Sequence, residues 1–217
     1  MDTKEYIHRY FENSKRLIKA LEGQEKSIEK IVNILFATWQ LGAPVFIMGN
    51  GGSASTASHF AADLAKTVND LPGKRGIRAL APWDNIPLMS AIVNDRLKED
   101  YFTAWLDTFF LEPREFSKLR IPVGIGISVH GGSGSDFGGN WSQNLLKGLQ
   151  YIKDRSGITI GFSGFDGGPM AKMADVAVVV PVEEKSLGTP LVESFHVVLT
   201  HLIAFRLKEL ISETKSA

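Results

Sequence analysis

Five short apolar runs, all but the fourth followed by a stretch with helical spacing, constrain this chain more than any other feature. The runs lie at 44–48, 76–80, 121–128, 158–162 and 176–180. Strands buried on both faces read as continuous apolar runs, because neither face meets water. Helical patterns follow at 53–66, 86–93, 101–110, 141–153 and 190–211. Strand–helix alternation of this kind predicts an α/β fold with three layers and a doubly wound, five-stranded parallel sheet. Ahead of the first strand, Tyr6, Tyr10, Leu17, Leu21, Ile28, Ile31, Val32 and Leu35 recur at helical spacing from Thr3 to Gln40. Gly23 divides this stretch, and Gly42 with Pro44 ends it. The expected organisation is one domain over 1–217, with N-terminal helices at 1–41 and the α/β core at 42–217. An extension of this kind cannot bury both of its sides against one sheet, so it is expected to pair with another subunit.

Composition narrows the function classes. Lys plus Arg number 24 and Asp plus Glu number 24, so no basic excess points to nucleic acid or an anionic membrane. With no cysteine, a disulfide framework, a thiolate nucleophile and a zinc–thiolate site are excluded. The first residues lack the apolar core of a signal peptide, and no run of about 18 apolar residues is found, so a cytoplasmic location is expected.

Ligands of open parallel sheets bind beyond the carboxyl ends of the strands. Two Gly- and Ser-rich segments fall at such ends: 49–55, beginning Gly49-Asn50-Gly51-Gly52-Ser53, and 128–135, beginning Ser128-Val129-His130. Glycines let the backbone approach a ligand, and the helix N-terminus that follows offers free N–H groups to an anion. Neither segment has the spacing of a dinucleotide or P-loop motif, so a phosphorylated small molecule is favoured over a nucleotide. Asp63 follows His59 by four residues, which places both on one helix face where they can ligate one metal ion. On the last helix, Glu193, His196 and His201 are polar among apolar neighbours; a buried, carbonyl-bonded histidine and a functional one are equally good readings of His196.

These residues carry a resemblance to a known family. Gly49-Asn50-Gly51-Gly52-Ser53 followed by His59-Phe60-Ala61-Ala62-Asp63-Leu64 resembles the bacterial phosphoheptose isomerases of the sugar isomerase (SIS) family, whose pattern is G-N-G-G-S and then H-F-A-x-E-L. Val93-Asn94-Asp95 is similar to their G-N-D, 127–133 to their phosphate loop I-S-T-S-G-N-S, 164–170 to K-D-G-G-K-M, and 193–201 to Q-x-x-H-x-x-x-x-H. The resemblance implies a flavodoxin-like fold and a homotetramer with sites at subunit interfaces. It also implies Zn²⁺ held by His59, Asp63, Glu193 and His201, with His201 serving in acid–base catalysis. The implied reaction turns sedoheptulose 7-phosphate into D-glycero-D-manno-heptose 7-phosphate, for lipopolysaccharide or other surface-glycan synthesis.

Such an isomerase moves a proton between C1 and C2 through a cis-enediol, and needs a base, an acid near the carbonyl oxygen and a stabiliser of the enediolate. Asp63 is expected to take the proton and His201 to serve the oxygens. Asn50, Gly51, Gly52, Ser53, Asp95, Ser128, His130, Ser133 and Glu193 are expected to bind substrate, with Ser53, Ser128 and Ser133 on the phosphate and His130 pairing with it when protonated. Glu193 and His201 are eight residues apart, about 12 Å along a helix axis. One ion therefore reaches both only if their side chains converge, if the helix frays at Glu193, or if a second subunit contributes. The chain departs from the family pattern with Asp63 for Glu, Glu193 for Gln, Val129-His130 for Thr-Ser, a phosphate loop lengthened through Asp136 and Gly139, and Pro190 for Asp. The competing reading is a non-catalytic SIS sensor or adaptor of the type that associates with the replication initiator.

Overall fold

The computed structural model describes residues 2–110, 121–132 and 141–214. Five strands, β1 (Pro44–Gly49), β2 (Arg78–Leu80), β3 (Val123–Ile127), β4 (Ile158–Gly164) and β5 (Val176–Val180), form one sheet in the order β2-β1-β3-β4-β5. Every pairing is parallel, with Val45 opposite Val123 and Val123 opposite Ile158. The order reverses direction between β1 and β3, and a crevice opens at such a switch point beyond the strand ends.

The helices are α1 (Thr3–Glu22), α2 (Glu25–Leu41), α3 (Gly52–Asn69), α4 (Ile86–Asp95), α5 (Tyr101–Phe109), α6 (Gln143–Asp154), α7 (Gly168–Met173) and α8 (Lys185–Ser212). Gly23 separates α1 from α2, and Gly42 closes α2 in the left-handed conformation. Burial alternates along β1 between two layers. Val45 and Ile47 pack with Phe60, Leu64, Leu199 and Ile203 on the α3–α8 side. Phe46 and Met48 pack with Phe102, Trp105, Leu145 and Leu149 on the α5–α6 side. Pairing of the sheet with helices on both faces matches the pattern of continuous apolar runs.

Four differences from the sequence reading have physical causes. Strand β2 is only three residues long and only partly covered, as suits an edge strand. Helix α7 is not among the helical patterns of the sequence; it is only six residues long, and Pro169 lies in its first turn, where no N–H donor is needed. Helix α8 begins five residues before Pro190, which it tolerates inside its second turn. It is also long and apolar enough to cross a membrane by length and composition, contrary to the expectation that no such segment exists; more than half of that segment is buried inside the protein.

Phe60 anchors α3 to the sheet with none of its surface exposed. Phe60→Ala is expected to lower the free energy of unfolding by about 3–5 kcal/mol, measured by guanidinium denaturation; a loss below about 1 kcal/mol would mean that the site relaxes around the void.

Candidate functional site

Helices α3 and α8 lie side by side on one face of the sheet and run in the same direction. Gly52 at the start of α3 meets Glu193 near the start of α8, and two turns further on His59 and Asp63 meet His201. His59 and Asp63 share a face because four residues make just over one turn. The Nε2 atoms of His59 and His201 are 3.2 Å apart. Asp63 Oδ2 lies 3.5 Å from the first and 3.6 Å from the second. This oxygen is buried and has no hydrogen-bond donor.

Three donors at these separations fit a cation. Tetrahedral zinc with bonds of about 2.0–2.1 Å places its ligand atoms about 3.3 Å from one another. Both imidazoles are about half exposed, so the group opens outward and leaves room for a further ligand. The His59–Asp63–His201 set can therefore hold a metal ion. Glu193, expected to be a fourth ligand, is outside this set. Its two carboxylate oxygens lie 2.4 Å from where a Cβ on Gly52 would be, so the carboxylate sits directly over that glycine. The separation along α8 is the reason: two turns of helix keep Glu193 at the loop while His201 reaches Asp63.

The loop after β1 has two sides. On the side away from Glu193, Asn50 and Gly51 line a cavity of about 510 Å³ with Trp83, Lys98, Tyr101, Trp141 and the start of α6. Asn50 was expected to bind substrate through its side chain, but all four of that side chain's hydrogen-bonding positions are taken. Its Oδ1 accepts from Tyr101 Oη and, at 3.0 Å, from Asn144 Nδ2. Its Nδ2 donates to Asn144 Oδ1 at 3.1 Å and to Ser142 Oγ at 3.3 Å. An amide offers two donors and two acceptor positions, so Asn50 orients the loop rather than a ligand. Burial pushes the Tyr101 phenol up to about 12, which keeps it a donor to Asn50.

Ser53 and Ser128 are buried at the ends of β1 and β3. Asp95 closes α4, is exposed, accepts from Asn94 Nδ2 at 2.8 Å, and does not line the cavity. Ser133 lies outside the described residues, as do Asp136 and Gly139. His130 stacks on Phe165 with ring centroids 5.0 Å apart. Burial lowers its basicity, opposed by the nearby Asp166 carboxylate, so at neutral pH it meets an anion as a neutral ring rather than the cation expected. The turn that holds it interlocks with 164–168: a Cβ on Gly131, at φ 59°, would fall 2.0 Å from the Gly167 carbonyl oxygen, and Met170 N–H donates to the Gly131 carbonyl at 2.8 Å.

The chain matches the SIS domain model over residues 9–96. It is 30% identical to phosphoheptose isomerase of Helicobacter pylori (strain ATCC 700392 / 26695) over 89% of each chain. The chain belongs to the phosphoheptose isomerase family. It is 29% identical to the phosphoheptose isomerase of Aneurinibacillus thermoaerophilus across 97% of its own length and 96% of that protein's. Against lincomycin biosynthesis protein LmbN of Streptomyces lincolnensis it is 39% identical over 174 residues, and it spans only 58% of that protein's length. Among solved structures, phosphoheptose isomerase GmhA from Neisseria gonorrhoeae shares the fold with TM-score 0.77 at 21% identity, covering 96% of this chain and 100% of that one. The Francisella tularensis phosphoheptose isomerase does so with TM-score 0.79 at 18% identity, with the same coverage.

Within the family motif on α8, His196 is a core residue. It is fully buried, with Nε2 3.2 Å from the Ser163 carbonyl oxygen. Burial brings it down to about 4, opposed by that carbonyl. Trp83, Tyr101, Trp141, Ser142 and Asn144 were not singled out from the sequence. Aromatic residues are common enough in cores that only the crevice at the switch point marks these as lining a site.

Because the unfolded chain's histidine titrates near 6.5, it binds a proton that folded His196 refuses between pH 6.5 and about 4. Stability therefore falls as pH drops through this window, by about 3 kcal/mol at its foot. His196→Met is expected to flatten that part of the profile, followed by denaturant unfolding from pH 7 to pH 4. An unchanged slope would place the acid sensitivity elsewhere.

Proposed function

We propose that this chain is an aldose–ketose isomerase that converts sedoheptulose 7-phosphate into D-glycero-D-manno-heptose 7-phosphate through a cis-enediol. The observation that carries the reading is the convergence of His59, Asp63 and His201 beside the strand-end loop of a phosphoheptose isomerase fold. A non-catalytic adaptor has no need of three ligand atoms held in a triangle.

In this reading His59, Asp63 and His201 hold Zn²⁺, and the ion supplies polarisation of the carbonyl and charge for the enediolate. The residues around it do the rest. Gly51 and Gly52 bring backbone close to the sugar, and the aromatic walls of Trp83 and Trp141 exclude water from one side of it. The phosphate is received where Ser142, Gln143 and Asn144 open α6, since helix N-termini favour anions and Lys98 lines the same cavity. His201 is placed for proton transfer at the sugar oxygens only through the ring edge that the ion leaves free.

The functional unit is a homotetramer with its sites at subunit interfaces, supported by apolar surface that a monomer leaves bare. Tyr6, Ile7, Phe11 and Ile18 are exposed on α1, and Val198, Leu202 and Phe205 form an exposed stripe on α8 beside His201. The product feeds lipopolysaccharide or other surface-glycan synthesis, and the work takes place in the cytoplasm, where charged sugar phosphates are retained.

Incubation with sedoheptulose 7-phosphate followed by NMR tests the reading. Aldose should form with zinc present, stop on chelation and return on zinc addition. His59→Ala and Asp63→Asn should each lose bound zinc and at least about 10²-fold in turnover. Absence of aldose under every divalent metal would overturn the assignment.

A further inference from the structure

Most of the polar side chains that line the cavity beside the Gly49–Ser53 loop are already bonded to protein groups. Asn50, Asn144 and Tyr101 form one network, and Asn50 also donates to Ser142 Oγ at 3.3 Å. Trp83 Nε1 donates to the Gly49 carbonyl at 3.2 Å. Gln143 Nε2 donates to the Gly132 carbonyl at 3.2 Å and to the Trp141 carbonyl at 3.4 Å. Glu99 accepts from Lys147 at 3.2 Å. A ligand in the cavity must bond to what these contacts leave over.

Three donors are left over. Among the described residues Lys98 makes no hydrogen bond or ion pair, so all of its ammonium N–H groups are available. The same holds for Trp141 Nε1, on a ring that is about half exposed, and an indole nitrogen can only donate. The Ser142 hydroxyl accepts from Asn50 and keeps its own proton for a further partner.

Charge gives Lys98 the larger part. Lys147, in the second turn of α6, reaches Glu99 at 3.2 Å and Asp100 at 2.9 Å. That contact engages the two carboxylates and docks the 98–100 segment against α6, beside Ser142 and Asn144. Lys98 is then the one basic side chain among the described residues that line the cavity. His130, whose ring meets Trp141 with centroids 6.1 Å apart, is kept neutral at neutral pH by burial.

We infer that Lys98 and Trp141 select a terminal phosphate in this cavity, Lys98 by charge and Trp141 by its indole N–H, an inference that rests on the sugar-phosphate reading above. A phosphate monoester carries about −1.5 to −2 charge at pH 7 and three strong acceptor oxygens. A compact ammonium flanked by directional donors complements it, and bonds to a charged acceptor are the strong ones. An unphosphorylated sugar would strip water from Lys98 without returning an ion pair, so it is discriminated against. The assignment concerns the phosphate end of the ligand and leaves the part played by His59, Asp63 and His201 unchanged.

The test measures binding of inorganic phosphate by titration calorimetry and turnover of sedoheptulose 7-phosphate. It compares wild type with Lys98→Met, Lys98→Arg and Trp141→Phe, and thermal unfolding checks that each variant is folded. Lys98→Met is expected to weaken phosphate binding by about 10–100-fold and to raise KM by a similar factor, with kcat little changed. Lys98→Arg should recover most of the affinity, because it returns the charge. Trp141→Phe keeps the aromatic wall, removes the N–H, and should weaken phosphate binding by about 3–10-fold. Phosphate affinity within about twofold of wild type in Lys98→Met or in Trp141→Phe overturns the inference, as does a fall in kcat with KM unchanged in Lys98→Met. Calorimetry needs no turnover, so the two readings fail separately. Aldose formation by a wild type whose phosphate binding survives Lys98→Met overturns this inference alone. Absence of aldose from a wild type whose phosphate binding is lost in Lys98→Met overturns the isomerase reading alone.

Discussion

The packing of α3 along α8 is the contact on which the candidate site depends. Neither helix carries a complete ligand set, and their first and last functional residues are more than 130 positions apart in the chain. Both helices follow strands of one parallel sheet and cross the same face, so they run in the same direction with matching rises. The apolar seam of Phe60, Leu64, Leu199 and Ile203 sets their register. A shift of one turn would move His201 by about 5.4 Å and separate it from Asp63. Core packing on the sheet is thus also what holds the two imidazole nitrogens 3.2 Å apart.

A second set of contacts builds the other wall. The side-chain amides of Asn50 and Asn144 pair reciprocally, with Tyr101 and Ser142 completing the set. This ties the loop after β1 to the start of α6 across the switch point. Beyond it, the turn at 129–132 and the segment at 164–168 meet backbone to backbone, which requires glycine at 131 and 168. His130 is held in that arrangement by its stack on Phe165, itself at φ 55°. The cavity is therefore framed by interlocked loops on one side of the strand-end loop, while Glu193 and the His59–Asp63–His201 group lie on the other.

Much of this was legible before any coordinates. Continuous apolar runs in alternation with helical spacing announce a parallel sheet, because only burial on both faces tolerates them. The Gly49–Ser53 segment, and His59 with Asp63 one turn apart, are local facts of spacing. His201 could be suspected because an imidazole among leucines and isoleucines is costly without a purpose. Local spacing could also warn that Glu193 and His201 are about 12 Å apart along one helix. It could not say which of the two would reach Asp63.

Periodicity and composition alone determined the fold class, the strand-end loops and the His–Asp pair, since each depends on residues near one another in the chain. Tertiary structure alone decided that His201 joins the pair while Glu193 covers Gly52, that Asn50 is saturated by Tyr101, Ser142 and Asn144, and that His130 and His196 are packed rather than charged. Those outcomes depend on how far apart two helices sit and which loops interlock. Such distances are set by the summed packing of the whole core, and no spacing within one segment contains them.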